Sequence, residues 1–228
     1  MESEAGTLFV CATPIGNLDD VSQRLLQTLA QCDIVAAEDT RRTIKLLNHF
    51  GIKKPLVSCW QHREREASQK LLESLQQGSS VALVSDAGTP VISDPGQKLI
   101  ALALANGIRV VHIPGPSAVI AALVLSGFPA DKFVFEGFLP RKRADRRKAL
   151  RALAEERRTI VLFEAPHRLH DALRDIAAEM GDPQVAVARE LTKVHEEVLR
   201  GKASEVLTSI SGKAVKGEIT IVISPMSA

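Results

Sequence analysis

Residues 81–96, VALVSDAGTPVISDPG, join a continuous run of apolar residues to a long loop rich in glycine, proline, serine and aspartate. The apolar run 81–84 predicts a short strand with both faces buried, because no polar residue alternates with the apolar ones. A helix over 97–106 follows and ends at Gly107, and a second apolar strand covers 108–113. A buried strand, a loop, a helix and another buried strand make up the repeating unit of a parallel α/β sheet.

The same alternation continues on both sides of this segment. Upstream, strands are predicted at 8–12, 34–37 and 56–58. The helices between them are predicted at 21–31, 40–50 and 64–77. Downstream, strands are predicted at 133–135, 159–163, 185–188, 194–199 and 218–223, and helices at 118–125, 145–156, 167–180 and 203–210. Because no helix separates the strands at 185–188 and 194–199, these two strands are expected to pair antiparallel.

The tripeptide Pro114-Gly115-Pro116 interrupts this alternation. Proline fixes φ and has no backbone donor, so the tripeptide ends the preceding strand sharply and marks a hinge between domains. We therefore predict two α/β domains, 1–114 with a mainly parallel sheet and 115–228 with a mixed sheet. The length of 228 residues is compatible with one large domain or two small ones.

Composition excludes several classes of protein. A hydrophobic content of 45% and a charged content of 25% exclude a disordered or collagen-like chain. The longest apolar run, 118–125, is far shorter than the ~20 residues of a membrane-spanning helix, and the start MESEAG lacks the basic region of a secretory signal. The cysteines Cys11, Cys32 and Cys59 form no CxxC pair, which favours reduced, buried thiols. We expect a cytoplasmic protein without a membrane partner.

Common phosphate-binding and hydrolase motifs are absent. No two of the 14 glycines are separated by a single residue, so GxGxxG does not occur, and neither GxxxxGK[ST] nor GxSxG is present. This excludes conventional Rossmann dehydrogenases, P-loop NTPases and the usual serine hydrolases. His167 and His170 lie three residues apart without a third ligand nearby, so we expect surface or capping roles for them and no metal site.

Three turn-rich loops follow predicted parallel strands, at 12–18 (ATPIGNL), 85–90 (SDAGTP) and 114–118 (PGPSA). Loops at the carboxyl ends of parallel strands converge where open α/β sheets bind ligands. Their small residues allow a close approach of backbone to ligand, and their serine, threonine and aspartate side chains provide polar anchors. The alternative is that glycine and proline here only build turns; three such loops favour a shared site.

Two clusters of charge have a functional and a structural interpretation. In 38–42, EDTRR, adjacent acids and arginines suit proton transfer, but Asp39 or Thr40 is equally a good helix cap. Segment 141–151, RKRADRRKALR, has seven basic residues and one acid, although the whole chain carries only +2. A helix aligns its arginines at every fourth position, and such a face is either solvated or contacts an anion; we favour the phosphate backbone of a nucleic acid.

Together, these motifs resemble the bacterial ribosomal small-subunit RNA methyltransferase I family. The segments that carry the resemblance are ATPIGNLDD (12–20), AAEDTRR (36–42), VALVSDAGTPVISDPG (81–96), IPGPSA (113–118), FEGFLPRKR (135–143), FEAPHRL (163–169) and ARELTKVHEEVLRG (188–201). The resemblance implies 2′-O-methylation of a cytidine in 16S rRNA with S-adenosylmethionine. It also implies the fold of the tetrapyrrole (corrin/porphyrin) methylases, two α/β domains with a cofactor cleft between them, and a homodimer.

The resemblance implies the cofactor contacts, and the charge clusters described above suggest the RNA-binding residues. Cofactor contacts are expected at Pro14, Ile15, Asp86, Ala87, Gly88, Thr89, Ser117, Ala118, Phe163 and Ala188. The expected RNA-binding residues, on the small ribosomal subunit, are Arg41, Arg42, Arg141, Lys142, Arg143, Arg146 and Arg147. Because the 2′-hydroxyl loses a proton when it attacks the methyl group, a general base is also expected, with Glu38, Asp39 and Lys193 as candidates.

Two departures from the family pattern bear on substrate binding. Where the family has an HxHNE-like stretch, this chain has Trp60-Gln61-His62-Arg63-Glu64, in which only His62 and Glu64 match. Many members also continue past the last strand with a helical extension, whose RNA contacts this sequence would lack. Two alternatives stay open: a methyltransferase acting on a small tetrapyrrole, which would not need the basic segment, and a ribosome-binding protein without the cofactor.

Overall fold

The computed structural model describes residues 5–59 and 64–225, which form two compact units. The first unit ends at Ser117, the residue after the Pro114-Gly115-Pro116 segment, and the second begins at Ala118. Each unit contains its own five-stranded sheet. The predicted architecture of two α/β domains is therefore confirmed.

The first unit is a parallel sheet covered by helices. Its strands are β1 (Thr7–Cys11), β2 (Ile34–Ala37), β3 (Leu56–Ser58), β4 (Val81–Val84) and β5 (Arg109–Ile113). Its helices are α1 (Gln23–Gln31), α2 (Thr40–His49), α3 (Glu64–Gln76) and α4 (Gln97–Ala105), with a 3₁₀ turn at Leu18–Asp20. The strand order is β3-β2-β4-β1-β5 and every pairing is parallel, as predicted.

Two apolar layers bury this sheet on both faces. Leu71 and Leu99 of α3 and α4 pack with Leu83 of β4 on one face. On the other face, a second cluster joins Leu25 of α1 and Leu47 of α2 to the sheet. Because all five strands run in the same direction, the loops at their carboxyl ends emerge along one edge of the sheet.

The second unit has a mixed sheet. Its strands are β6 (Phe133–Phe138), β7 (Thr159–Glu164), β8 (Gln184–Arg189), β9 (Glu197–Lys202) and β10 (Ile219–Ile223). Its helices are α5 (Ala118–Ser126), α6 (Arg143–Leu153), α7 (Leu169–Glu179) and α8 (Ala203–Ser209), with a 3₁₀ turn at Pro166–Arg168. In the order β6-β7-β10-β8-β9, only β6 and β7 pair in parallel. The predicted antiparallel pairing of β8 with β9 is confirmed.

Several helices begin or end away from their predicted limits. The helix predicted at 21–31 starts after Ser22, whose hydroxyl accepts a 3.0 Å hydrogen bond from the first turn and caps it. The helix predicted at 145–156 begins earlier and ends earlier, as α6. The one predicted at 167–180 is divided into a 3₁₀ turn that starts at Pro166 and the α-helix α7. A side-chain cap therefore sets the start of α1, whereas α6 and α7 begin without one, and hydrophobic periodicity alone does not resolve these boundaries.

The cysteines are buried and unpaired, as expected for reduced thiols. Burial raises the pKa of Cys11 to about 12 and that of Cys59 to about 11, so neither thiol is ionised near neutral pH. Over the described ranges, no helix is long and apolar enough to cross a membrane. Nor do 5–59 and 64–225 contain a group of three or more His, Cys, Asp or Glu residues that could hold a metal ion.

Candidate functional site

The loops after β1 and β4 are joined through their backbones. The Thr13 N–H donates to the Gly88 carbonyl at 2.9 Å, and the Gly88 N–H donates back to the Thr13 carbonyl at 3.0 Å. Side chains reinforce this bridge: the Thr13 hydroxyl donates to the Ser85 carbonyl at 3.3 Å, and the Ser85 hydroxyl to the Gly88 carbonyl at 3.2 Å. The two loops therefore form one hydrogen-bonded layer at the edge of the sheet.

The third loop, after β5, lies against the same layer. A Cβ at Gly88 would be 3.4 Å from Ile15 Cγ2 and 3.6 Å from the Pro116 carbonyl oxygen, and Gly88 itself has φ +80°. A Cβ at Gly115 would be 3.1 Å from that of Ala12. Small residues thus permit the close approach of all three loops. The predicted convergence of the three loops is therefore confirmed.

The loop after β4 also holds strained backbone. Val91 has φ +78° and Ser93 has φ +66°, a region in which a β-branched residue such as valine is a genuine outlier. Each such residue costs roughly 1–3 kcal/mol and persists only where the surroundings over-determine it. Strain of this kind concentrates at binding loops, so it adds to the case for a site here.

Glu64 of α3 restrains the far end of that loop. Its Oε1 accepts hydrogen bonds from the N–H groups of Gly96 at 2.9 Å and Lys98 at 3.2 Å, and its Oε2 is 3.4 Å from Lys98 Nζ. Burial would raise the pKa of Glu64, but these hydrogen bonds lower it overall. Glu64 thus supplies the cap that Gly96, the residue before α4, has no side chain to provide. Sequence reasoning missed this long-range role; the neighbouring 60–63 stretch lies outside the described residues.

Three carboxylates gather at the carboxyl ends of β2 and β4. Asp39 caps α2, since its Oδ1 accepts from the Arg41 N–H at 2.9 Å, and its ion pair with the Arg41 guanidinium lowers its pKa to about 2. Asp86 accepts the Asp39 N–H at 3.0 Å and is 3.4 Å from Arg42 Nε. Burial, followed by the charge of Asp86, raises the pKa of Glu38. The helix-cap interpretation of Asp39 is confirmed, and Glu38 is the carboxyl shifted towards neutral pH.

In the second unit, the expected cofactor residues Phe163 and Ala188 share one row across the sheet. Phe163 of β7 pairs with Thr220 of β10, which pairs in turn with Ala188 of β8. Thr220 is buried between them and was not singled out in the sequence.

Lys193, a candidate base, is held as a cation. Its Nζ is 2.8 Å from Glu190 Oε1 and 3.1 Å from Glu218 Oε2. Burial would lower the pKa of Lys193, but the hydrogen bonds to Glu190 and Glu218 raise it overall. The ammonium group is therefore protonated at neutral pH and has no lone pair to accept a proton.

The anion expected opposite the basic helix α6 lies within the chain. Arg146 is buried and its Nη2 is 2.7 Å from Asp175 Oδ2 of α7, while Arg143 Nε is 3.3 Å from the other oxygen of the same carboxylate. One turn further along α7, Glu179 pairs with Arg147 and, at 2.7 Å, with Arg151. The predicted alignment of arginines on one face of α6 is present, but these arginines form ion pairs with carboxylates of α7.

Arg141 and Lys142 differ from these arginines. Both are exposed, just before α6, and neither forms an ion pair with any residue in 5–59 or 64–225. Arg41 and Arg42 are also exposed, each beside the carboxylate already described. The basic segment 141–151 therefore contains arginines that join α6 to α7 and cations that face solvent.

A separate cavity of about 480 Å³ opens in the second unit. Its lining includes Leu169, Val187, Leu199, Ile210 and Arg189. None of the predicted site residues lines it, so it does not coincide with the loops described above.

Comparison with known proteins defines the class. The family model of the tetrapyrrole (corrin/porphyrin) methylases matches residues 7–207. The crystal structure of the methyltransferase CobJ has a TM-score of 0.72 at 17% identity, covering 97% of this chain and 95% of its own. Uroporphyrin-III C-methyl transferase from Thermus thermophilus, complexed with S-adenyl homocysteine, has a TM-score of 0.66 at 16% identity, with coverage of 95% and 97%. The fold is thus that of the tetrapyrrole methylases.

Closer relatives narrow the assignment. A Thermotoga maritima protein is 50% identical over 219 residues, covering 96% of this chain and 98% of its own length. One from Pseudomonas aeruginosa is 55% identical over 195 residues, covering 85% and 69%. Both are named Ribosomal RNA small subunit methyltransferase I. At this identity and coverage, the chain belongs to the ribosomal RNA small subunit methyltransferase I family.

Proposed function

We propose that this protein transfers a methyl group from S-adenosylmethionine to the ribose 2′-hydroxyl of a cytidine in 16S rRNA of the small ribosomal subunit. The observation that carries the proposal is the meeting of the loops after β1, β4 and β5 at Gly88, in a chain of this family. The names of the relatives support the RNA substrate, and the family resemblance supports the cytidine and the 2′-oxygen.

The residues of these loops fit S-adenosylmethionine by chemistry. The cofactor has a cationic amino group, ribose hydroxyls and a flat base, and the loops offer a half-buried carboxylate at Asp86, hydroxyl groups and the small residues Ala87 and Gly88. When bound, the cofactor supplies an electrophilic methyl group on a sulfonium. We assign its contacts to the loop residues Pro14, Ile15, Asp86, Ala87, Gly88, Thr89, Ser117 and Ala118, and to Phe163 and Ala188 of the second unit.

Glu38 is the base we propose among the three candidates. The attacking ribose hydroxyl must lose its proton as its oxygen bonds to the methyl carbon, and the ionised Glu38 carboxylate would accept that proton. The raised pKa of Glu38 suits this task, because a base works best when its pKa approaches the operating pH. Asp39, with a pKa of about 2, is a far weaker base, and Lys193 is already protonated.

We propose that exposed cations hold the RNA backbone. Arg141 and Lys142 are the main candidates, with Arg41 and Arg42 near Glu38 on the first unit. Arg143 and Arg147 keep about half of their side chains exposed beside their carboxylate partners. Arg146 is left out of this set, because its buried guanidinium is already bound by Asp175.

Two measurements test the proposal. Calorimetric titration with S-adenosylmethionine should show saturable binding to the wild-type protein, whereas a ribosome-binding protein without the cofactor would show none. With radiolabelled S-adenosylmethionine, methyl groups should then be transferred to small-subunit particles that lack the modification. The transferred label should stay on the RNA after alkaline treatment. Transfer to a tetrapyrrole but not to particles or naked 16S rRNA would reject the RNA substrate while retaining the cofactor.

A further inference from the structure

Strand β6 contains a bulge that changes where its last aromatic side chain points. Phe135 pairs with Val161 of β7, but the register then shifts, so that Gly137 pairs with Leu162 and Phe138 with Phe163. Gly137 takes up the shift with φ +66°, a conformation that favours glycine. In a regular strand, residues three apart face opposite sides of the sheet. The extra residue puts Phe135 and Phe138 on the same side.

The three phenylalanines consequently form one aromatic group. The ring centroids of Phe135 and Phe163 are 4.9 Å apart at 71°, and those of Phe138 and Phe163 are 5.6 Å apart at 56°. Phe135 and Phe163 are half-buried, whereas Phe138 is 55% exposed. Phe138 is therefore held from one side by another ring and presents much of its own surface to solvent.

The loop that follows Phe138 is fixed and basic. Leu139 is buried, and Arg168 Nη2 donates to the carbonyls of Leu139 at 2.7 Å and Pro140 at 3.1 Å. Arg168 is in turn oriented by the buried carboxylate of Glu164, with 3.2 Å between Nε and Oε1. The next two residues along the chain are the exposed cations Arg141 and Lys142. An exposed ring and two cations thus share one anchored segment.

We propose that Phe138 is a stacking site for an unpaired RNA base, with Arg141 and Lys142 binding the phosphates beside that base. This inference rests on the proposed RNA substrate and adds a contact to it. Proteins bind unpaired RNA by stacking bases on exposed aromatic rings while cations follow the backbone. The aromatic group and its cations have both elements of such a site. A duplex, whose bases are already stacked within the helix, is not expected to use the ring.

Stacking and phosphate binding differ in their salt dependence. Replacing Phe138 by Leu keeps apolar bulk but removes the ring, and we expect about 5- to 150-fold weaker binding of single-stranded RNA. The slope of log affinity against log salt should not change, because no charge is lost. The Phe138→Trp variant should bind as the wild type does. Arg141→Ala and Lys142→Ala should each reduce the slope by about 0.7, the value for one phosphate contact on a single strand.

The experiment uses the whole protein and a short fluorescein-labelled single-stranded RNA, followed by fluorescence anisotropy at several salt concentrations. Leu104→Ala is the matched control, because Leu104 is an exposed apolar residue of the first unit. A duplex of the same sequence should bind the wild type and Phe138→Leu equally. In parallel, the KM for small-subunit particles should rise in Phe138→Leu and stay at the wild-type value in Leu104→Ala.

Several results would overturn the stacking site. One is equal binding of the single strand by the wild type and Phe138→Leu, and another is an equal loss of RNA affinity in Phe138→Leu and Phe138→Trp. A third is a molecular mass of Phe138→Leu in light scattering that differs from that of the wild type, which would make Phe138 a contact between copies of the chain. Failure of the proposed function looks different, because the wild type itself would then transfer no methyl group to particles.

Discussion

Replacing Asp175 by Asn should destabilise the second unit strongly, because Asp175 neutralises a buried arginine. Arg146 Nη2 and Nε lie 2.7 Å and 2.9 Å from Asp175 Oδ2, and Arg143 Nε is 3.3 Å from Oδ1. The side chains of Arg146 and Asp175 are 4% and 2% exposed. Removing one partner of a buried ion pair leaves an uncompensated charge and costs about 3–5 kcal/mol. We expect a loss of unfolding free energy in that range.

Urea unfolding followed by far-ultraviolet circular dichroism measures the loss. With a slope near the upper end of the usual range, about 3 kcal/mol/M, the midpoint should fall by roughly 1–2 M. Asp171→Asn is the matched control, since Asp171 lies on the same helix α7 and pairs with Arg174 in solvent, with both side chains more than half exposed. An exposed pair contributes only about 0–1 kcal/mol, so the control should move the midpoint little.

A double substitution separates lost pairing from lost packing. Asp175→Leu with Arg146→Met replaces the pair by apolar side chains and should recover much of the stability, because no buried charge is left alone. The reasoning is refuted if Asp175→Asn and Asp171→Asn are equally mild. It is also refuted if Arg146→Met weakens RNA binding without affecting stability, since Arg146 would then bind RNA rather than α7.

Three further predictions concern the first unit. Glu38→Gln should lower kcat by about 10²–10⁴-fold. The wild-type rate should rise with pH as Glu38 loses its proton, at a pH above the usual glutamate pKa of about 4.3. This rise should be absent from the pH–rate profile of the variant. Glu64→Ala should lower the unfolding free energy by about 1–3 kcal/mol, measured by urea unfolding, because the buried N–H of Gly96 loses its partner; an unchanged value would contradict the cap. Gly88→Ala should weaken calorimetric binding of S-adenosylmethionine, whereas Gly107→Ala, at φ +70° in open space, should not; equal affinities would remove Gly88 from the site.

Much of the first unit follows from local sequence signals. The apolar run 81–84 and the glycine and proline residues after it predict both the strand and the loop, because a strand buried on both faces selects apolar residues and turns select glycine and proline. The positive φ of Val91 and Ser93 does not follow from the sequence, because neither residue type favours that conformation. The convergence of three loops follows as well, since parallel strands bring their carboxyl ends to one edge. Which polar group holds each loop does not follow: Glu64 caps a helix that begins 33 residues further along the chain.

The basic helix shows a second limit of local patterns. Spacing at every fourth residue correctly places Arg143, Arg147 and Arg151 on one face of α6. It does not identify the element that this face meets, which is α7 with Asp175 and Glu179 one turn apart. The sequence of β6 does not predict its bulge for a related reason, because a shift in register depends on the partner strand β7. Contacts with α7 therefore determine which basic residues are paired within the chain and which are exposed, and the local sequence pattern does not contain these contacts.

The most direct test of the proposed activity locates the transferred methyl group. Small-subunit particles that lack the modification would be incubated with the protein and S-adenosylmethionine, and nuclease fragments of the 16S rRNA would be analysed by mass spectrometry. The account predicts one added methyl group on the ribose of a single cytidine, with little or none in the Glu38→Gln reaction. A methyl group on a base or on a ribosomal protein, or no transfer by a protein that binds the cofactor, would contradict it.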